Sequence, residues 1–229
     1  MSGADAADQA GAAPDARFFL KLKPRSVAEI LAIAVQALAD IGISDITIDL
    51  HFPAVMPSLL ANLPPESHPA IRDAVRLKDT ARLRQLNAAP IAELIEIAGA
   101  ASNSMPALAA IAHRGVSEAM AELSALITEL DTLGVPAKLS IDMLDLSGYG
   151  YYTGIGYALY WNKAGLEVGR GGCYRSETGE DAVGFTLYIN DLLEQLPEEP
   201  SAPMAEIPYG TAWEEILKKQ RNGFVTVLV

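Results

Sequence analysis

The densest group of residues able to contact a ligand is Ser147-Gly148-Tyr149-Gly150-Tyr151-Tyr152-Thr153-Gly154. With Gly156 included, four glycines and three tyrosines fall within nine residues. Glycine lets backbone approach a ligand or a second chain closely, and tyrosine supplies flat apolar area together with a hydroxyl that donates and accepts. Two readings are open at this point: a ligand pocket, or a loop leading into a strand whose tyrosines pack on a neighbour. A second glycine cluster, Gly169-Arg170-Gly171-Gly172, lacks the Gly-Lys-Ser/Thr ending of a phosphate-binding loop and sits between two strand-like segments. It reads as a tight strand connection, or as a strand pressed against a ligand or another backbone. His51, His68 and His113 lie far apart with no partner at ligand spacing, so no metal site is expected. Cys173, the single cysteine, has no flanking signature of a nucleophile.

These groups need elements to hold them. Ser26 followed by Glu29 has the form of a capping box, and Val27, Ile30, Leu31, Ala34, Val35 and Leu38 continue at helical spacing to a stop at Gly42. A weakly alternating strand, Phe18 to Lys23, precedes this helix, and Ile46, Ile48 and Leu50 alternate as a second strand after it. From Ala54 to Gly134 alanine and leucine recur at helical spacing, with breaks expected at Pro64-Pro65, Pro69, Pro90 and Pro106. This predicts an all-helical insertion whose longest helix runs from Val116 to Leu133. Strands are then predicted over 137–142, 155–161, 166–168 and 182–187, a helix over 188–196, a Pro-rich linker over 197–209, and a small helix-strand element over 210–229. Residues 1–17 are mostly Ala, Gly and Asp with little to bury, and read as a flexible tail.

The chain has 229 residues, half of them hydrophobic, which is enough apolar surface for a core and excludes wholesale disorder. Its formal net charge of −12, from 17 basic and 29 acidic residues without a basic run, argues against nucleic-acid binding. One cysteine fits a reducing compartment. No apolar run approaches the roughly 18 residues of a membrane span, and the N-terminus lacks a secretory pattern. A cytoplasmic protein with no membrane contact is expected.

The order of motifs is informative. Tyr151-Tyr152-Thr153-Gly154, then Gly171-Gly172-Cys173-Tyr174, then Gly184-Phe185-Thr186-Leu187 leading into a helix resembles the C-terminal half of the histidyl-tRNA synthetase catalytic fold. That family carries Arg-Gly-Leu-Asp-Tyr-Tyr-Thr-Gly, Gly-Gly-Arg-Tyr-Asp and a Gly-Phe strand before a helix with an ATP-binding arginine. The resemblance implies an α+β fold of the class II aminoacyl-tRNA synthetase type: an antiparallel sheet, flanking helices and a helical insertion, together spanning residues 18–196. It places Tyr151, Tyr152, Thr153, Gly154, Gly171, Gly172 and Tyr174 around an amino-acid pocket for histidine.

The departures bear on function. The family's first arginine and aspartate fall on Ser147 and Gly150, its second arginine and aspartate on Cys173 and Arg175, and its third-motif glutamate and arginine on Asn190 and Asp191. A carboxylate in place of a phosphate-contacting cation repels an adenylate, so aminoacylation is not expected. A chain that keeps the tyrosine-glycine framework without those cations resembles the regulatory subunits of ATP phosphoribosyltransferase. That resemblance implies a non-catalytic role without cofactor: a partnership with the short catalytic subunit that condenses ATP with phosphoribosyl pyrophosphate in the first step of histidine synthesis, feedback by histidine, and assembly into an oligomer. It also implies that the sequence lacks the N-terminal region carrying the family's first two motifs. The other reading is a synthetase-derived amino-acid-binding or scaffold protein with a different partner.

Overall fold

A computed structural model describes residues 22–148, 150–193 and 203–229. The tail over 1–17, residues 18–21 of the first expected strand, Tyr149, and residues 194–202 at the helix end and linker start lie outside them.

Helix α1 (Pro24–Asp40) begins two residues earlier than the expected cap. Pro24 sets the helical φ in the first turn, Lys23 occupies the N-cap without a side-chain bond, and Ser26 therefore falls inside the helix. Glu29 pairs with Arg25 one turn back (2.8 Å), so the capping box does not form. The helix stops as expected: Gly42 adopts φ +83°, and the N–H groups of Gly42 and Ile43 donate to Ala39 and Leu38. Strand β1 (Ile46–His51) follows, with Ile46, Ile48 and Leu50 buried.

The predicted insertion contains α2 (Met56–Leu60), α3 (His68–Arg76), α4 (Thr80–Gln85), α5 (Ala89–Glu96), α6 (Ala101–Ala109) and α7 (Arg114–Leu133). Pro69 and Pro90 start helices, as expected of breaks. Pro106 does not break one: it sits within α6, where the buried Ala101, Ser104 and Leu108 hold a helix that lacks one backbone donor. Nor is the segment wholly helical, because β2 (Gly99–Ala100) pairs with β3 (Ala137–Ile141). Two residues are too short for alternation to register.

Three long strands complete the sheet: β4 (Tyr152–Trp161), β5 (Leu166–Arg175) and β6 (Asp181–Leu187). The order is β2-β3-β1-β4-β5-β6. All neighbours are antiparallel except β1 and β3, which run parallel. The glycine cluster around Arg170 is therefore neither a turn nor a phosphate loop but the middle of β5. α1 packs on α7 and on β6. This α+β architecture agrees with the expectation.

Helix α8 (Ile189–Leu193) follows β6. The chain divides into two compact units, 1–191 and 192–229. In the second, β7 (Met204–Ile207) pairs in parallel with β8 (Val225–Leu228), joined through α9 (Trp213–Arg221). Strand β7 lies inside the segment read as linker; its pairing with β8 prevails over the prolines on either side. Among the described residues no helix is long and apolar enough to cross a membrane.

Candidate functional site

Strand register builds the site. His51 on β1 faces Gly156 on β4, Gly156 faces Gly172 on β5, and Gly172 faces Gly184 on β6. Three glycines thus form one row across three strands, a floor with no side chains of its own. Alternation places Arg170, Gly172 and Tyr174 on this face, and Gly171 and Cys173 on the other. A methyl group at Gly172 would lie 2.7 Å from the ring of Tyr152 and 2.9 Å from the Gly156 backbone, so only glycine lets Tyr152 lie flat on the floor. A methyl at Gly171 would instead collide with the Gly184 carbonyl oxygen and meet the ring and hydroxyl of Tyr157 at 2.7 Å, beneath the sheet.

Above the floor lies a cavity of about 340 Å³ lined by Tyr151, Tyr152, Arg170, Gly171, Gly172, Tyr174, Gly184, Phe185, Thr186 and Tyr188. This is near the small end of the roughly 300–1,000 Å³ spanned by ligand cavities. Its aromatic wall is ordered. Tyr151 stacks on Tyr174 with ring centroids 5.3 Å apart and an interplanar angle of 15°, and meets Tyr152 edge-on, also at 5.3 Å. Burial pushes the Tyr152 and Tyr188 hydroxyls to higher pKa, so both remain donors at neutral pH.

The opposite wall is polar. The Arg170 guanidinium donates to the Glu167 carboxylate through Nε (2.7 Å) and Nη2 (2.9 Å), and the Tyr188 hydroxyl donates to Glu167 Oε1 (3.1 Å). Burial opposes the charge on Arg170, and the paired carboxylate more than offsets it, so its pKa is raised. The cation lining this cavity is thus already neutralised.

Five of the seven residues expected around the pocket line this cavity: Tyr151, Tyr152, Gly171, Gly172 and Tyr174. Thr153 and Gly154 do not. Thr153 Oγ1 turns to the Cys173 carbonyl (3.4 Å), and Gly154 is buried within β4. Ser147 donates its N–H to Asp145 (2.9 Å). Cys173, fully buried, lies on the far face, where burial pushes its thiol up to about 12 and Glu122 of α7 adds to the shift.

Sequence reasoning did not reach Glu167, Thr186, Tyr188 or His51 as site residues, and saw Arg170 only as part of a glycine cluster. Glu167 and Arg170, three apart, belong on opposite faces of a regular strand. Between the pairs Leu159–Gly169 and Tyr160–Glu167 the register shifts by one, so Val168 bulges and turns Glu167 onto the face of Arg170. His51 ends β1 beneath this site, 2% exposed, with its ring centroid 6.0 Å from that of Tyr152. Neither ring nitrogen has a hydrogen-bond partner among the described residues, and Asp145 Oδ2 stands 3.9 Å from Nδ1. Burial lowers the His51 pKa and keeps the ring neutral, against the pull of Asp145.

Comparison with known proteins extends this geometry. The chain is 32% identical to an ATP phosphoribosyltransferase regulatory subunit from Paramagnetospirillum magneticum, over 87% of this chain and 54% of that protein. It is 31% identical to one from Rhodospirillum centenum, over 88% and 54%. The chain thus spans about half the length of the curated relatives it matches. Among solved structures, it superimposes on an ATP phosphoribosyltransferase regulatory subunit/histidyl-tRNA synthetase from Bacillus halodurans with a TM-score of 0.75 at 21% identity, covering 91% of this chain and 60% of that one. A chain of the ATP phosphoribosyl transferase complex from Thermotoga maritima gives a TM-score of 0.64 at 18% identity, covering 74% and 62%. These two likenesses establish the shared fold. The histidyl-tRNA synthetase family model matches residues 21–192, three quarters of the sequence and all of the sheet that carries the cavity, so the chain belongs to the histidyl-tRNA synthetase family.

Proposed function

We propose that this chain acts in the cytoplasm as the non-catalytic regulatory subunit of an ATP phosphoribosyltransferase, binding the short catalytic subunit and relaying feedback by histidine. The observation that carries the reading is the combination found in one cavity: a glycine floor and stacked tyrosines retained, with its lining cation already held by a carboxylate. A triphosphate needs uncompensated positive charge to stabilise it, whereas a small amino acid needs shape, an aromatic wall and balanced polar groups. The names of the relatives at about 30% identity support the same function. Tyr151, Tyr152 and Tyr174 take the ligand's imidazole, and Gly171 and Gly172 let it approach the backbone.

Feedback then means that histidine binds two states of the complex with different affinity, and that difference is the coupling. The test mixes the purified chain with a short-form catalytic subunit and follows complex formation by size exclusion and phosphoribosyl-ATP formation by absorbance. Co-elution with activation is expected. Absence of both overturns the assignment.

A further inference from the structure

Glu167 gathers three side chains at the edge of the cavity: Arg170, the Tyr188 hydroxyl and, more distantly, the Tyr160 hydroxyl of β4 (3.5 Å). The Glu167–Arg170 pair is partly exposed, with side chains 23% and 34% accessible, and ion pairs in such settings add little to stability. Yet the fold goes to some length to build it. The bulge at Val168 breaks the alternation of β5 so that Glu167 joins Arg170 on the cavity face, and bulges beside ligand sites commonly re-aim a side chain in this way. Tyr188, which lines the cavity with Arg170, also holds Glu167. Arg170 and Tyr188 thus line the cavity, and Glu167, held by both and still 23% accessible, stands at its edge, so a cation and an anion lie side by side opposite a wall of tyrosines.

A ligand complementary to this arrangement carries its own anion and cation on one carbon and a flat group beyond them. We infer that Glu167 and Arg170 form a head-group clamp for a free α-amino acid, Arg170 taking its carboxylate and Glu167 its ammonium. The inference rests on reading the cavity as an amino-acid site. On binding, the internal pair exchanges partners without changing net charge, so the cost of separating Glu167 from Arg170 is offset by two new charge-assisted hydrogen-bond sets. The same pair discriminates against polyanions, because Glu167 repels a phosphate that Arg170 alone would accept. The clamp residues thus determine which class of molecule enters, and the tyrosines which side chain.

Calorimetry with three ligands tests this on the unmodified chain: histidine, histamine, which lacks the carboxylate, and imidazole-propionate, which lacks the amine. Histidine is expected to bind about ten- to a hundredfold more tightly than either, the range set by one charge-assisted contact. Arg170→Gln should abolish the preference over histamine, and Glu167→Gln the preference over imidazole-propionate, each variant leaving the other preference in place. Histamine binding as tightly as histidine, or Arg170→Gln keeping full discrimination, overturns the clamp while leaving the cavity an amino-acid site. Binding of none of the three overturns the amino-acid reading itself, and the clamp with it. Since the ligand series is read on the unmodified chain, a variant that fails to fold does not blunt the test.

Discussion

The two faces of strands β4, β5 and β6 are made by alternate residues of the same segments, and they do opposite things. One face carries Gly156, Gly172 and Gly184 in a row, Tyr152 and Tyr174 above it, and the Glu167–Arg170 pair at its side. The other carries Tyr157 and Cys173, both fully buried, with the Tyr157 hydroxyl closed off on the Gly184 carbonyl (3.0 Å). The helix face spends its side chains on close packing. The cavity face gives up side chains at the floor, and the rings of His51 and Tyr152 lie on Gly156 and Gly172 in their place. Period-two alternation thus lets one stretch of sequence be core and site at once, with adjacent residues answering to different constraints.

That contrast can be broken at several points. The largest effect belongs to the apolar core: Leu31 of α1 and Leu126 of α7 are fully buried, and either one changed to alanine should cost about 2–5 kcal/mol, read by urea denaturation. Neither lines the cavity, so at temperatures where the variants remain folded their histidine affinity should be unchanged.

The adjacent glycines separate the faces more finely. Gly171→Ala places its methyl against the Gly184 carbonyl and Tyr157, and Gly172→Ala against Tyr152. Each overpacks its face, with an expected loss of about 1–3 kcal/mol. Only Gly172→Ala lifts Tyr152 from the floor, so it should weaken histidine binding at least about tenfold (about 1.4 kcal/mol), and more than Gly171→Ala, which reaches the cavity only through the Gly184 backbone. Equal loss of binding in both would erase the distinction.

The faces should also differ in their response to pH. Burial raises Glu122 of α7 from 4.5 to about 7. Its folded form favours the proton, so its contribution is present below pH 4.5 and is lost as pH rises to 7. His51 has the reverse sign: burial holds its folded pKa below the ordinary 6.5, so stability falls as pH drops through 6.5 and the unfolded chain takes up the proton. Glu122→Gln should gain stability relative to the wild type above pH 7 and not below 4.5, measured as the denaturation midpoint across that range.

The smallest expected effect is a null one. Cys173, with its thiol pushed up to about 12, should resist a disulfide reagent at pH 8 in the native state and react on unfolding. Rapid labelling of folded protein would contradict the closed helix face.

Much of this was legible in the sequence because it rests on local pattern. Helix α1 declared itself through Val27, Leu31 and Leu38, and the tyrosine-glycine run marked one wall of the cavity. What escaped depends on pairing between distant segments. The glycine row exists only once β4, β5 and β6 are in register. Glu167 reaches the site through a single bulged residue, and His51 lies under Tyr152 because β1 neighbours β4, a hundred residues on. The misplaced start of α1 has a local cause: Pro24 and the Ser26–Glu29 pair both signal a helix N-terminus, and the proline, fixed in φ, prevails.

The most direct test of the account reconstitutes the chain with a short-form catalytic subunit and titrates histidine while phosphoribosyl-ATP formation is followed. With the wild-type chain, histidine should suppress the activity. With Gly172→Ala, the complex should form and remain active, but the inhibition curve should shift by about tenfold or more. An unshifted curve would show that histidine is sensed outside this cavity, and would contradict the claim that the tyrosine-walled floor relays feedback to the catalytic partner.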